Sequence, residues 1–164
     1  MSLARMEVYE EEFRHLEGAL RRLRLDANAK AVFLIDRNGQ HIAAAGDIEQ
    51  FDSTSLASLT AGNVAATDGL AKLIGEREFS VLFHEGQRDH IHISIVARRA
   101  ILLVIFDERS SLGLVRLRVK RASSEMDGIF EQMDQKTETG VSGEAEPSPF
   151  SEITDEDIDA LFSE

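Results

Sequence analysis

Three apolar runs lie close together between residues 79 and 106, and they constrain the fold more than any other feature. The runs are FSVLFH (79–84), HIHISIVA (90–97) and AILLVIF (100–106), and the turns between them are marked by Gly86 and by the pair Arg98-Arg99. Short runs bounded by turn residues predict β-strands, and the middle one alternates between isoleucine and polar residues as a strand does. We therefore expect three neighbouring strands in a mainly antiparallel sheet.

Two further strands are predicted upstream of these three. The apolar run AVFLID precedes RNGQ, and HIAAAG follows it. Asn38-Gly39 is a dipeptide typical of a tight hairpin turn. This arrangement predicts an antiparallel pair over about 31–36 and 40–46.

Three helices are predicted around the strands. The first covers roughly residues 5–25, and the third follows a capping serine at Ser110 or Ser111, because apolar residues recur in both at alternating spacings of four and three. The second runs from the capping segment DSTS (52–55) to about Gly75. The order is helix, two strands, helix, three strands, helix, which predicts an α+β fold with a five-stranded, mainly antiparallel sheet.

The second predicted helix is unusual because it carries so few large side chains. Its larger apolar positions predict a core-facing stripe, which comprises Leu56, Leu59, Ala66, Leu70 and Leu73. A second stripe, predicted to be exposed, consists almost entirely of small residues and includes Gly62, Ala65 and Gly69. Such bareness suggests that another surface approaches the helix backbone closely. The alternative is that small residues merely let the helix lie close to its own sheet.

The C-terminal part differs in composition from residues 1–136, which we interpret as one folded domain. Residues 137–151 contain both prolines of the chain and predict a flexible linker. Residues 152–164 predict a short amphipathic helix with Thr154 as its cap. Its apolar positions, with one from the linker, are Phe150, Ile153, Ile158, Leu161 and Phe162.

Net charge is distributed unevenly along the chain. The total is −12, but residues 137–164 contain nine acidic residues and no lysine or arginine, so the body is close to neutral. This distribution argues against nucleic acid as a partner. The chain has no cysteine, no apolar run long enough to span a bilayer and no signal-peptide pattern at its N-terminus. We therefore expect a cytoplasmic protein without an integral membrane segment.

No catalytic motif is apparent, and the remaining polar clusters have ordinary alternatives. His90 and His92 share one face of a predicted strand and could bind a metal with His84 or His41, but nothing fixes a third ligand, so a solvated strand face is the better explanation. Carboxylates at strand ends (Asp36, Asp107 and Glu108) are best explained as turn formers. The basic cluster formed by Arg116, Arg118, Lys120 and Arg121 either covers an exposed helix face or attracts an acidic lipid, an acidic partner or the chain's own tail. We expect no metal and no cofactor.

Several long segments resemble the Roadblock family of regulators that partner bacterial Ras-like small GTPases. They are YEEEF, DANAKAVFLIDRNGQ, TSLASLTAGNVAA, GLAKLIGE, FHEG, VIFDERSSLGLVRLRVKRAS and the terminal SPFSEITDEDIDALFSE. The resemblance implies a cytoplasmic homodimer joined edge to edge through its sheets, with concentration at a cell pole as one expectation. It also implies activation of GTP hydrolysis in a partner that controls cell polarity and motility, by a regulator with no catalytic site of its own.

The resemblance also implies which residues meet the GTPase. One GTPase would dock by its switch regions on the paired second helices, at Ser58, Ala61, Gly62, Ala65, Ala66, Gly69 and Lys72. The C-terminal helix, through the apolar positions given above, would add affinity and promote nucleotide exchange. The alternative is a Roadblock scaffold that tethers partners without changing hydrolysis.

An activator can also supply an arginine to the transition state. Arg37, Arg77, Arg88 and Arg109 lie near predicted loops and are the formal candidates. Because the resemblance implies rearrangement of the GTPase's own arginine and glutamine, we expect none of the four to be essential.

Overall fold

The structure is a computed structural model that describes residues 9–138. Its elements, in chain order, are α1 (Glu10–Asp26), β1 (Ala31–Asp36), β2 (His41–Gly46), a short 3-10 turn (Ile48–Gln50), α2 (Ser53–Leu73), β3 (Val81–Glu85), β4 (His90–Val96), β5 (Ala100–Phe106) and α3 (Leu112–Glu138). This order confirms the predicted α+β class. The part of the first predicted helix before residue 9 lies outside the described residues, and α3 continues two residues past the predicted start of the linker.

All five strands form one antiparallel sheet in the order β2-β1-β5-β4-β3. Asn38 and Gly39 make the predicted turn between β1 and β2, and the Asp36 side chain accepts hydrogen bonds from the backbone amides of Asn38 and Gln40, both at 2.9 Å. The carboxylate at the end of β1 is therefore a turn former, as predicted. β3 lies at one edge of the sheet and pairs only with β4.

Helices cover both faces of the sheet. On one face, α1 and α3 pack side by side over β1 and β5, and their shared core includes Leu16, Leu20, Leu34, Leu102, Val104 and Met126. On the other face, α2 alone packs over Phe33, Ile35, Ile101 and Leu103 through Ala57, Ala61 and Val64. The apolar runs of β1 and β5 are buried almost throughout because both of their faces are covered.

The predicted orientation of α2 was wrong. Leu59, Leu70 and Leu73 were expected to face the core, but 73%, 60% and 83% of their surfaces are exposed, and Ala66 is exposed too. Of the predicted stripe, only Leu56 packs against the sheet, and it is partly buried. The small residues Ala57 and Ala61 face inward instead and let the helix lie close to the sheet, which was the alternative considered for its bareness.

The prediction that the face of β4 carrying His92 is solvated was also wrong. His92 and Ser94 are buried, at 1% and 5% exposure, rather than solvated. They lie on the face of the sheet that α1 and α3 cover, so the polar half of the alternating pattern in β4 does not mark a surface.

Candidate docking face on α2

The outward side of α2 is a long exposed surface that carries little side-chain bulk. At about 100° per residue, Gly62 and Gly69 lie beside the line formed by Leu59, Ala66 and Leu73. A Cβ atom built on either glycine would have no neighbouring atom within 4 Å. A foreign backbone can therefore approach the helix at the glycines while contacting leucine side chains next to them.

Six of the seven predicted docking positions are exposed on this surface: Ser58, Gly62, Ala65, Ala66, Gly69 and Lys72. Ala61 is the exception, because it is 8% exposed and packs against the sheet. It supports the helix from beneath and cannot itself form part of an outward contact surface. We use the term docking face for the six exposed positions together with Leu59 and Leu73.

An apolar patch continues from the end of α2 to the edge of the sheet. Leu73, Ile74, Phe79 and Val81 are all at least one-third exposed, and Val81 is the first residue of the edge strand β3. Exposed apolar side chains concentrated in one segment of the chain are candidates for contact with another protein. An unpaired strand edge beside it offers backbone donors and acceptors to a second chain.

The position of α2 is fixed by its cap and by the β1–β2 turn beneath it. The Asp52 carboxylate accepts hydrogen bonds from the Ser55 hydroxyl at 2.7 Å and the Ser55 amide at 3.2 Å, and these lower the pKa of Asp52. Gly39 lies directly under the helix with φ of +88°. A Cβ atom there would lie 3.3 Å from the Cα atom of Ser58. Glycine favours this dihedral angle, and a side chain here would crowd the backbone of α2.

The four candidate arginines differ in how firmly they are held. Arg37 donates to the Asp68 carboxylate at 3.3 Å, to the Glu78 carboxylate and to the carbonyl of Arg98 at 2.9 Å. Arg109 donates to the Asp107 carboxylate through Nε at 3.0 Å, and this contact is the main reason that the pKa of Asp107 is lowered. Arg77 and Arg88 lie in exposed loops. None of the four lies within α2.

The histidines do not assemble a metal site. Within residues 9–138 no group of three or more histidine, aspartate or glutamate side chains is placed to hold a metal ion. His90 lies against the rings of Phe83 and Phe106 and accepts a hydrogen bond at Nδ1 from the Gly86 amide at 3.2 Å. His41 lies on β2, with two strands between it and β4.

The C-terminal positions predicted to contact the GTPase lie outside the described residues. They are Phe150, Ile153, Ile158, Leu161 and Phe162. Sequence reasoning missed the outward leucines of α2 as part of the docking face. The spacing places these leucines on a different side of the helix from Ala57, Ala61 and Val64, but it does not indicate which side faces the sheet.

The chain was compared with known families and structures. The Roadblock/LC7 domain family matches residues 16–106. MglB from Myxococcus xanthus is 60% identical, with 76% of this chain and 93% of that chain covered and a TM-score of 0.73. The gliding protein MglB from Thermus thermophilus is 34% identical, with coverage of 74% and 92% and a TM-score of 0.70. A structure described as MglB with a tetrameric arrangement is 33% identical, with coverage of 74% and 91% and a TM-score of 0.69. The comparison with curated proteins gave no match.

The family match covers more than half of the chain, and the three MglB structures are each more than 30% identical to it. Both findings agree with the observed fold. The chain belongs to the Roadblock/LC7 family of regulatory proteins. Within that family it is MglB-like. No helix within residues 9–138 has the length and apolarity required to cross a membrane.

Proposed function

We propose that this chain is a GTPase-activating protein for a small Ras-like GTPase of the MglA type and acts in cell polarity and motility. The observation that carries the proposal is the docking face of α2, where Gly62 and Gly69 leave the backbone open between exposed leucines. The similarity to MglB proteins, one of them described as a gliding protein, supports the same role.

The active form in this proposal is a homodimer joined through β3. The edge strand and the apolar patch beside it supply what such a joint requires, namely free backbone groups and apolar surface to bury. Because the patch connects β3 with the end of α2, pairing at this edge would bring two α2 helices together on one face. One GTPase would then contact both docking faces with its switch regions.

Activation in this proposal does not depend on an arginine from the regulator. Arg37 is held by three partners, and the docking face contains one basic residue, Lys72, which lies near the end of α2. Small side chains at the contact suit a regulator that positions the partner's own catalytic groups. Residues 152–164 would bind a second patch on the GTPase, adding affinity and promoting nucleotide exchange.

The test is GTP hydrolysis by the cognate GTPase with and without this protein. We expect the wild-type chain to accelerate hydrolysis and Ala65→Arg to abolish acceleration and binding while leaving the domain folded, because Ala65 is exposed. Ser124→Arg, at an exposed position on α3, is the matched control and should behave as wild type. Binding without acceleration would favour the alternative, a scaffold that tethers the GTPase. Retained acceleration in Ala65→Arg would contradict docking on α2.

A further inference from the structure

A groove runs between α1 and α3 on the side of the molecule opposite α2. The two helices are antiparallel: Tyr9 contacts Thr137 at one end of the pair, and Arg22 contacts Glu125 further along. The floor of the groove is apolar and consists of buried side chains from both helices, namely Ala19, Leu23, Ala122 and Ile129. Neither the docking face nor the edge strand uses this surface.

The groove has room for side chains from another segment. Gly18 and Gly128 line it from opposite helices, and a Cβ atom built on Gly128 would have no neighbour within 4 Å. The groove therefore offers an open notch at Gly128.

The rim of the groove is strongly basic. Five arginines line it, against two acidic residues, Asp26 and Glu125; the arginines are Arg14, Arg21, Arg22, Arg118 and Arg121. Arg14 and Arg22 have acidic partners, Glu10 and Glu125. The excess of arginine over acidic side chains gives the rim a positive charge that complements an acidic ligand.

We propose that residues 152–164 of this chain bind the groove between α1 and α3 when no other partner holds them. The sequence predicts that this segment is amphipathic and acidic. Its apolar residues Ile158, Leu161 and Phe162 would contact the floor and the notch, and its carboxylates would pair with the arginines of the rim. Residues 137–164 contain nine acidic residues and no lysine or arginine, so this segment complements the basic rim in charge. The proposal goes beyond the proposed function and does not require a GTPase.

The connecting segment is long enough for this contact. α3 ends at Glu138, ten residues beyond Gly128, so the near part of the groove lies about 15 Å from the end of the helix at 1.5 Å per residue. The composition of residues 139–151 predicts a flexible linker, and a linker of thirteen residues would have a root-mean-square span of roughly 20 Å. Tethering at this distance gives the segment a high effective concentration at the groove, so weak contacts suffice.

The experiment uses the full chain, labelled at one introduced cysteine. Because the sequence contains no cysteine, Ser163→Cys can carry a single nitroxide next to the proposed contact residues. Paramagnetic broadening of the glycine amide signals then reports which face the segment approaches. We expect the signals of Gly18 and Gly128 to lose more than half of their intensity, and those of Gly62 and Gly69, on the opposite face, to keep it.

Charge variants test the specificity of the contact. Arg21→Glu with Arg121→Glu should restore the Gly18 and Gly128 signals, as should raising the salt concentration to about 0.5 M, which screens exposed charges. Arg77→Glu with Arg88→Glu makes the same change in net charge at exposed loops away from the groove and should leave the broadening intact. All these positions are exposed, so the fold should tolerate the changes.

Three outcomes would overturn the proposal. The first is equal or absent broadening on the two faces, which would mean that the segment does not select the groove. The second is broadening that disappears on dilution, which would assign the groove to a second molecule. The third is an equal loss of broadening in both pairs of charge variants, which would show that the broadening depends on net charge and not on the groove arginines.

Discussion

Arg37 donates a hydrogen bond to Asp68 and so ties the turn between β1 and β2 to the helix that carries the docking face. The same guanidinium reaches Glu78, just before β3, and the carbonyl of Arg98 in the β4–β5 turn. That turn has positive φ at Ala97 (54°) and Arg98 (60°), which is unfavourable for residues other than glycine. One side chain thus connects α2, the strained turn and the approach to the edge strand.

Replacing Arg37 should destabilise the domain. Arg37→Met keeps much of the aliphatic part of the side chain but removes every hydrogen-bond donor. The carboxylate of Asp68, whose Oδ1 is buried, then loses the positive charge next to it. We expect the free energy of unfolding to fall by about 1–2 kcal/mol, since charge-assisted hydrogen bonds are worth about that amount at partly exposed sites. Urea denaturation measures the change.

A double-mutant cycle separates this network from a general loss of packing. If the Arg37–Asp68 pair matters, Arg37→Met should cost less in an Asp68→Asn background than in the wild type. Equal costs in the two backgrounds would show that Arg37 acts through its other contacts.

Replacing either outward glycine of α2 with alanine should raise the stability of the free protein and lower its affinity for the GTPase. Gly62→Ala and Gly69→Ala add a methyl group into open space within a helix, so each should stabilise the free protein by about 0.5–1 kcal/mol. The same methyl groups should weaken GTPase binding if a partner approaches the backbone there. Thermal unfolding and binding titrations measure the two effects.

Gly113→Ala provides the control for these glycine variants. Gly113 lies in α3, and its Cβ position is equally open. GTPase affinity should not change in this variant. A loss of affinity comparable with that of Gly69→Ala would mean that the binding defect does not arise from contact at α2.

Unfolding should depend on pH through His92. Burial, and secondarily the positive charge of Arg116, hold the pKa of His92 below its ordinary value of 6.5. The unfolded chain therefore binds this proton at a higher pH than the folded protein does. Its contribution to stability is complete above about pH 6.5 and is lost as the pH falls below that value.

Comparison of the wild type with His92→Leu isolates this contribution. Between about pH 7.5 and 5.5, the urea midpoint of the wild type should fall more than that of His92→Leu, because the other histidines are common to both. Parallel pH profiles would show that His92 binds its proton equally well in the folded and unfolded states.

Single replacement of the exposed loop arginines should leave GTPase activation largely intact. Arg77→Ala and Arg88→Ala are expected to retain activation within about threefold, whereas loss of a true arginine finger costs about 10³–10⁵ in rate. Single-turnover hydrolysis at saturating regulator is the appropriate measurement, because it separates rate from affinity. A loss near a thousandfold in either variant would identify a finger.

Removal of the C-terminal segment should affect binding and not the fold. A chain that ends at residue 146 keeps every described element, so it should still fold and dimerise. Its affinity for the GTPase should fall, because tethered contacts are lost. Equal affinities for the truncated and full-length chains would contradict a role for Phe150, Ile153, Ile158, Leu161 and Phe162.

The strands and helices could be predicted because local signals fix them. Asn38-Gly39 specified the first hairpin, Asp52 the start of α2, and the alternating spacings the outer helices. The orientation of α2 could not be predicted in the same way. Periodicity shows which residues share a side, but Leu59, Leu70 and Leu73 look like core residues whether they face their own sheet or another molecule.

The environment of His92 shows a related limit. A strand in the middle of a sheet with helices on both faces has no solvated side, so alternation of polar and apolar residues in β4 did not distinguish inside from outside. Exposure was expected for five of the six exposed docking positions, but not for Ala66, which was predicted to face the core; the five are Ser58, Gly62, Ala65, Gly69 and Lys72. The burial of Ala61 was not expected, since it differs from Ala65 only in its angle around the helix.

The inward alanines of α2 also affect how such a regulator can diversify. Because Ala57 and Ala61 anchor the helix on one side and Gly62, Ala65 and Gly69 face outward on the other, the two sets of positions can mutate independently. If the proposed docking on α2 is correct, changes in the outward set will alter which partner is accepted without repacking the interior. The helix is therefore a suitable site for engineering regulator–partner pairs that ignore their natural counterparts.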